Sequence, residues 1–243
     1  MKKAILLLAG AVSSVCFGDV VVGNAKFTLT IGDDAVPKSL VVKATGEEML
    51  APARGRPLFS ITQERPFNNE VKFSYPNART TYRAKSVKRE GDVLRVAFEQ
   101  AQYEALVKVQ ETDSYVAFTL TGFDKARDAY SYLKLDCPPA SEFRLLELPV
   151  RTRPHLGEWL NVMWDDRNAV AVIASSVNEL ISQEKRDDGA LLIADAYKSV
   201  KMQGATAILI ASETPDFLDC VEQAEIGFDM PRGVASRRSK EIA

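Results

Sequence analysis

One short stretch, RTRPHLGEWLNVMWDD at residues 151–166, concentrates the side chains that are able to do chemistry or to bind a polar ligand. It holds the single histidine of the chain, His155, and both of its tryptophans, Trp159 and Trp164. Charged side chains accompany them, namely Glu158, Asp165, Asp166, Arg151 and Arg153. These residue types permit proton transfer, metal ligation, or sugar binding on an aromatic ring with polar partners.

Nucleophilic catalysis and metal binding find little support in the spacing of these residues. A Ser-His-acid triad is defined by geometry, and no G-x-S-x-G or other local pattern places a serine near His155. His155 and Glu158 lie three residues apart, but structural zinc usually takes four Cys or His ligands. The sequence therefore predicts neither a catalytic residue nor a metal site in this chain, and it implies no cofactor.

The neighbouring carboxylates Asp165 and Asp166 favour a turn rather than a catalytic pair. Glycoside hydrolysis needs two carboxyl groups about 5–9.5 Å apart on either side of the scissile bond. Adjacent residues of a strand point to opposite faces, so these two make a poor pair. Asp and Asn side chains commonly bond to nearby backbone groups in turns. A pairing of Glu158 with either aspartate stays open.

Sugar binding is the functional hypothesis that this stretch favours most. If EWLNVMWDD is a strand, Leu160, Val162 and Trp164 share an apolar face, which predicts that Trp164 belongs to the core. Trp159 lies on the other face with polar neighbours, as is typical of interfacial tryptophans. The alternative, that both tryptophans are core residues, stays open. The candidate carbohydrate-binding residues are Trp159, His155, Glu158, Asn161 and Arg153.

The rest of the chain predicts a β-rich scaffold for these side chains. Runs such as AKFTLTI, GDVLRVAFEQ and SYVAFTLTGF alternate apolar and polar residues between turn-forming segments, and about a dozen such runs precede residue 213. The period then changes at TPDFLDCVEQAEIGF, where Thr214 is a candidate N-cap and Gly227 a candidate helix end. The apolar residues Phe217, Leu218, Val221 and Ala224 recur there at helical spacing.

The predicted fold class is all-β, a large sandwich of two antiparallel sheets with a short C-terminal helix. The strands are too many for an immunoglobulin-sized sandwich, and the absence of a fixed internal repeat argues against a propeller. The predicted organisation is a signal peptide at 1–18, the sandwich domain at 19–212, and a helix with a polar linker at 213–243.

The first residues predict export. Lys2 and Lys3 precede an apolar stretch at 4–12, which is much shorter than the roughly 20 residues of a membrane-spanning helix. This is the pattern of a secretory signal peptide, with cleavage expected after Gly18. Cys16 leaves a lipoprotein as a minor alternative. We therefore expect a periplasmic or extracellular protein without a membrane span.

Charge and cysteine content narrow the possible partners only slightly. The formal net charge is −2, with basic and acidic residues interspersed, whereas a nucleic-acid partner requires a clustered basic surface. Cys137 and Cys220 remain after the leader, and a disulfide between them stays open because bridging requires close approach of the two backbones.

The strand sequences also resemble a known domain. FTLTIGDDAVPKSLVVKATGEEML at 27–50 resembles the opening of the N-terminal sandwich that precedes the catalytic barrel in α-glucosidase-like glycoside hydrolases. The segment ATGEEML at 44–50 resembles the A-T-G-E-E-x-L pattern of that domain, and PLFSI at 57–61 resembles the strand that follows. MPRGVASRRS at 230–239 looks like the run-up to a barrel, which this sequence does not contain.

This resemblance implies a galactose-mutarotase-like supersandwich that acts as a secreted, carbohydrate-associated module beside a catalytic barrel domain. Family enzymes keep their catalytic carboxylates in the barrel, so the module itself is expected to be non-catalytic. A mutarotase mechanism requires two histidines, and this chain has only His155. The alternatives are a structural or protein-interaction sandwich without sugar binding and, less favoured, a stand-alone glycosidase or lyase.

Overall fold

The protein is described here from a computed structural model. The described residues are 18–64, 79–99, 101, 103–125, 140–158 and 160–231. The predicted signal peptide with Cys16, the run EVKFSY at 70–75, Trp159, Cys137 and the tail from residue 232 lie outside these ranges. Within them the chain forms strands in two antiparallel sheets and one C-terminal helix, which confirms the all-β sandwich.

The smaller sheet has four strands in the order β1-β2-β3-β4. Its strands are β1 (Val20–Gly23), β2 (Phe27–Ile31), β3 (Pro37–Val42) and β4 (Glu47–Glu48). In β2 the sequence FTLTI alternates buried and half-buried positions, as expected for a strand with one face on a core.

The larger sheet has twelve strands in the order β11-β12-β13-β16-β9-β8-β7-β6-β5-β10-β15-β14. Its first strands are β5 (Ser60–Glu64), β6 (Arg79–Glu90), β7 (Val93–Phe98), β8 (Tyr103–Glu111), β9 (Val116–Lys125) and β10 (Ala140–Arg151). The others are β11 (His155–Gly157), β12 (Val162–Trp164), β13 (Asn168–Ala174), β14 (Glu179–Arg186), β15 (Gly189–Tyr197) and β16 (Thr206–Glu213).

The large sheet bends back on itself at β6, where the pairing with β7 shifts register between Ala84 and Ser86. A bulge of this kind increases twist and bends a strand. As a result β10 packs across the core from β9, β13 and β16. The small sheet joins the β10 layer through a bridge between Leu50 and Val150. The two layers enclose one large apolar core that includes Phe27, Phe118 and Phe143.

The helix α1 (Thr214–Gly227) covers a second, smaller apolar cluster on the outside of the sandwich. The predicted helix and its end at Gly227 are confirmed. The prediction that Thr214 is the N-cap is wrong, because Glu213 holds that position and Thr214 is the first helical residue. The Thr214 hydroxyl donates to the Asp165 carbonyl at 2.6 Å. Leu218 is 42% exposed, so the buried stripe uses Cys220 in its place.

Cys220 is a free thiol on the buried face of this helix. Burial raises its pKa, because the apolar surroundings disfavour the thiolate. No helix among the described residues has the length and apolar character needed to cross a membrane.

Candidate functional site

Residues 151–166 form the end of one strand and a hairpin, so the interpretation of EWLNVMWDD at 158–166 as a single strand is wrong. β10 ends at Arg151, β11 begins at His155, and the chain turns back before β12. The turn contains Asn161 with a φ of +46°, a left-handed conformation in which asparagine is several-fold enriched. The hairpin forms one edge of the large sheet, and its two strands bring His155 directly opposite Trp164.

The imidazole of His155 and the indole of Trp164 stack on each other. Their ring centroids are 5.1 Å apart and the ring planes differ by 30°. His155 is exposed and Trp164 is half-buried, resting partly on the cluster beneath α1. Trp164 is therefore not the fully buried core residue that the alternation predicted. Because β11 is short and lies at the sheet edge, one side of Trp164 remains open to water.

Gly157 provides the space in which this indole lies. A Cβ atom at residue 157 would be 3.1 Å from the Cζ3 atom of Trp164 and 3.0 Å from a methyl group of Val162. Such distances are shorter than ordinary contacts, so a larger residue would displace the ring. The Gly157 carbonyl accepts a hydrogen bond from the Gln183 amide at 2.9 Å, which ties the edge strand β11 to the opposite edge strand β14.

The turn of the hairpin places Glu158 in solvent close in sequence to the stacked rings. The Glu158 carbonyl accepts the Asn161 backbone N–H at 3.2 Å and closes the turn. Trp159, the tryptophan expected on the wet face, lies outside the described residues.

Asn161 does not share a surface with His155 and Glu158, contrary to the prediction that it lies beside them on a wet face. It is 1% exposed. Its side-chain amide donates to the carbonyls of Val172 at 2.9 Å and Ile193 at 3.3 Å. The left-handed turn points this side chain inward, where it holds the hairpin against β13 and β15. Asn161 is therefore a supporting residue of the hairpin.

Arg153 also lies largely inside the structure, with 10% of its side chain exposed. Its guanidinium binds the Asp165 carboxylate, the Glu47 carboxylate at 3.1 Å and the Met49 sulfur at 3.4 Å. These contacts join the small sheet to the turn after β12. A paired arginine of this kind fixes the base of the hairpin and presents little free hydrogen-bonding capacity to a ligand.

The prediction of a turn at Asp165 and Asp166 is confirmed. The Asp165 carboxylate accepts the backbone N–H groups of Arg167 and Asn168, each at 2.8 Å. Burial favours the neutral carboxyl, but these two N–H donors and the Arg153 guanidinium outweigh it and lower the pKa of Asp165. Asp166 is exposed.

We expect this lowered pKa to make the fold sensitive to acid through Asp165. A carboxyl group whose pKa is lower in the folded state contributes stability above its unfolded pKa of about 3.9, and loses that contribution as the pH falls through the folded value. Asp165→Asn keeps an oxygen acceptor for the turn but removes the ion pair. It should lower the free energy of unfolding by about 1–2 kcal/mol at pH 7, since Arg153 retains Glu47.

Urea denaturation at pH 7 and pH 3 measures this effect. The gap between the parent and Asp165→Asn should narrow at pH 3, because the carboxyl group of the unfolded chain then takes up a proton more readily than the folded one, whose pKa is lower. Asp166→Asn is the matched control, and it should change stability by less than about 0.5 kcal/mol at either pH, as expected for an exposed surface residue. A gap of the same size at both pH values would contradict a role for the ionised carboxylate.

The candidate site is thus an open aromatic pair, His155 and Trp164, with Glu158 nearby in the turn. Sequence reasoning singled out both rings but missed their pairing, because it treated the stretch as one strand. It also missed Glu47, which the small sheet contributes from more than a hundred residues away. Within the described residues no group of three or more His, Cys, Asp or Glu side chains is placed to hold a metal ion.

Comparison with known proteins gives a limited result. No protein-family model matches the chain, and no curated protein matches it. Among solved structures, it is similar to a GH31 family sulfoquinovosidase from E. rectale in complex with an aza-sugar inhibitor, with a TM-score of 0.39 and 11% sequence identity. The similarity covers 84% of this chain, which spans 34% of the length of that enzyme.

Proposed function

We propose that this chain is a carbohydrate-associated β-sandwich module that binds sugar on the edge hairpin and does not cleave it. The observation that carries the proposal is the stack of His155 on Trp164 at an exposed sheet edge. Sugar rings present C–H faces that pack on aromatic surfaces, and amphipathic rings with one wet side are typical of binding interfaces. Glu158, exposed in the adjoining turn, supplies an acceptor for sugar hydroxyl groups.

The contacts of the nearby carboxylates favour binding over bond cleavage. Asp165 and Glu47 both bind the guanidinium of Arg153, and Asp165 also closes the turn after β12. A carboxylate held in this way is poorly placed to act as a general acid or nucleophile, since both roles need access to the glycosidic bond. No specific observation favours a stand-alone glycosidase or lyase.

The proposal extends to the location and partners of the protein. The leader-like residues 1–18 support export to the periplasm or beyond. The polar segment after α1 supports a connection to a catalytic barrel domain. The module would guide or hold the sugar chain for that domain. Mass spectrometry of the exported protein tests the first part, and an N-terminus at or near Asp19 is the expected result.

Glycan binding tests the central claim. The parent protein should bind at least one oligosaccharide on a glycan array, and calorimetric titration should then compare His155→Ala and Trp164→Ala with the parent. Each variant should weaken binding by about tenfold or more, equivalent to about 1.4 kcal/mol. His155→Ala should leave the melting temperature nearly unchanged, whereas Trp164→Ala should cost about 1–3 kcal/mol because its ring is only half-buried.

A control variant separates loss of the stacked pair of His155 and Trp164, the His155–Trp164 platform, from loss of the fold. Glu184→Ala changes an exposed charge on β14 and should leave both binding and melting unchanged. Tight glycan binding that survives in His155→Ala and in Trp164→Ala would remove the aromatic pair from the site.

A second candidate, a protein-interaction domain, has one observation in its favour. Val177, Leu180 and Val200 are 92%, 54% and 55% exposed, and all three lie at the end of the β14–β15 pair where Glu179 is opposite Ala196. Exposed apolar side chains that lie close together are typical of contact surfaces. The same glycan array separates the two candidates, since this one predicts that the parent binds no glycan.

A further inference from the structure

A wide-open cavity of about 450 Å³ lies at a different end of the sandwich from the hairpin. Its lining residues are Glu64, Arg79, Ser141, Tyr197, Lys198 and Ser199. Four of them lie on adjacent strands in the order β6-β5-β10-β15, and Lys198 and Ser199 lie in the turn after β15. β5 and β15 terminate at this end of the sandwich, whereas β6 and β10 begin there, because neighbouring antiparallel strands run in opposite directions. The topology therefore brings together side chains that are distant in sequence.

An ion pair forms part of the cavity wall. Arg79 on β6 reaches across β5 to the Glu142 carboxylate on β10, and more than half of the Arg79 side chain, 56%, remains exposed. Tyr197 lies directly opposite Glu142 in the β10–β15 pairing. Burial, followed by the negative charges of Asp195 and Glu142, raises the pKa of Tyr197. Its hydroxyl group thus stays protonated at neutral pH and can donate a hydrogen bond.

Two charged groups of the cavity have no counterion within the described part of the chain. Lys198 and Glu64 are both exposed, and the described residues supply no ion-pair partner for either of them. The Lys198 backbone N–H donates to the Ser141 carbonyl at 3.0 Å, which fixes the start of the loop that carries the ammonium group. Ser141, Ser199 and Tyr197 also line the cavity and contribute uncharged hydroxyl groups. The Ser141 hydroxyl donates to the Thr62 carbonyl at 3.3 Å, so it serves a ligand as an acceptor.

We propose that this cavity binds a small hydroxylated carboxylate of the sugar-acid class. Lys198 and the free part of the Arg79 guanidinium take the carboxylate, and the three hydroxyl groups with Glu64 take the ligand hydroxyls. The volume lies within the range of about 300–1,000 Å³ that is typical of small-ligand pockets. A neutral sugar would make no use of the positive charge of Lys198, and an inorganic anion would bring no sugar hydroxyl groups to the serine and tyrosine side chains. The site is separate from the His155–Trp164 platform and does not depend on it.

Calorimetric titration with D-glucuronate, D-glucose and inorganic phosphate tests this assignment on the full chain. Glucuronate and glucose share their ring hydroxyls and differ at the carboxylate. Glucuronate should bind the parent saturably, and Lys198→Ala should weaken that binding about tenfold or more, since a hydrogen bond to a charged group is lost. Tyr197→Phe removes one hydroxyl group and should weaken it by about threefold to tenfold.

Lys201→Ala is the matched control, because Lys201 is an exposed lysine of the same loop that does not line the cavity. It should change the affinity less than twofold, and Trp164→Ala should leave glucuronate binding unchanged even if it abolishes glycan binding at the hairpin. The assignment is overturned if glucuronate does not bind the parent saturably, if glucose or phosphate binds equally well, or if Lys201→Ala weakens binding as much as Lys198→Ala.

Discussion

Replacing Phe143 with alanine is expected to lower the free energy of unfolding by about 3–5 kcal/mol, as is usual for a large aromatic side chain removed from a core. Phe143 lies on β10 and is fully buried. Its ring stacks with Phe59 at 6.5 Å between centroids and meets Phe98 and Phe123 edge-on at 6.3 and 5.8 Å. Because Phe98 and Phe123 come from the layer that faces β10, one substitution removes contacts that join both layers.

Urea denaturation followed by tryptophan fluorescence and by circular dichroism measures this change, with agreement of the two probes as the check on two-state unfolding. Phe228→Ala is the matched control. Phe228 is half-buried beside Tyr115, directly after α1, so deletion of its ring should cost about 1–2 kcal/mol, less than for a fully buried ring. Equal costs for the two variants would show that the packing between the layers does not depend on Phe143.

The fold class follows from the sequence because several strands, such as β2, β7 and β8, have one face on the core and one face that is less buried. In β7 the sequence VLRVAF alternates half-buried and buried residues throughout, so the period of two is visible without a structure. The helix was equally visible, since a proline at its start and a glycine at its end mark its limits. These signals are local, and they depend on no contact between distant parts of the chain.

β10 (Ala140–Arg151) was missed for a physical reason. Its residues from Leu145 to Val150 are all buried, so alternation is lost where the strand is covered on both faces. A register shift between Arg144 and Leu146 also interrupts the period, and Pro149 argues against a strand interior. Yet β10 pairs with β5 and β15 and forms the middle of one layer.

The candidate site was predictable only in its composition. The sequence singled out the rings of His155 and Trp164, but their contact requires the turn at Asn161. No Asn-Gly or Asp-Gly pair in the sequence predicts that turn. The cavity that Glu64 and Tyr197 line could not be predicted from the sequence alone. Glu64 and Tyr197 approach each other only because β5, β10 and β15 are neighbours in the sheet, and strand order is a property of the whole fold.

The ion pair between Arg144 and Asp195 leads to the second large effect. The two residues are directly opposite on β10 and β15, and the guanidinium binds both carboxylate oxygens at 2.8 and 3.2 Å. Only 5% of the Asp195 side chain is exposed. Burial raises the pKa of Asp195 in spite of the attraction of Arg144. The carboxylate therefore depends on the arginine to remain ionised inside the protein.

Arg144→Met should lower the free energy of unfolding at pH 7 by about 3–5 kcal/mol, the usual cost of leaving a buried charge without its partner. The loss should shrink as the pH falls toward 5, because a carboxyl group with a raised folded pKa is more stable in its protonated, low-pH form, and that stability is lost as the pH rises through the folded pKa.

The Arg144 guanidinium also binds the Glu147 carboxylate, which keeps Arg56 at 3.3 Å when Arg144 is replaced. The double variant Arg144→Met, Asp195→Leu lacks the Glu147 contact just as Arg144→Met does, so the comparison of these two variants isolates the unpaired carboxylate of Asp195. An apolar pair of similar size avoids the burial of charge, so the double variant should recover most of the stability that Arg144→Met loses. Urea denaturation of the parent, both single variants and the double variant at pH 7 completes the cycle. A double variant that is less stable than Arg144→Met would show that Asp195 makes a favourable contribution of its own, and the unpaired carboxylate would not be the source of the loss.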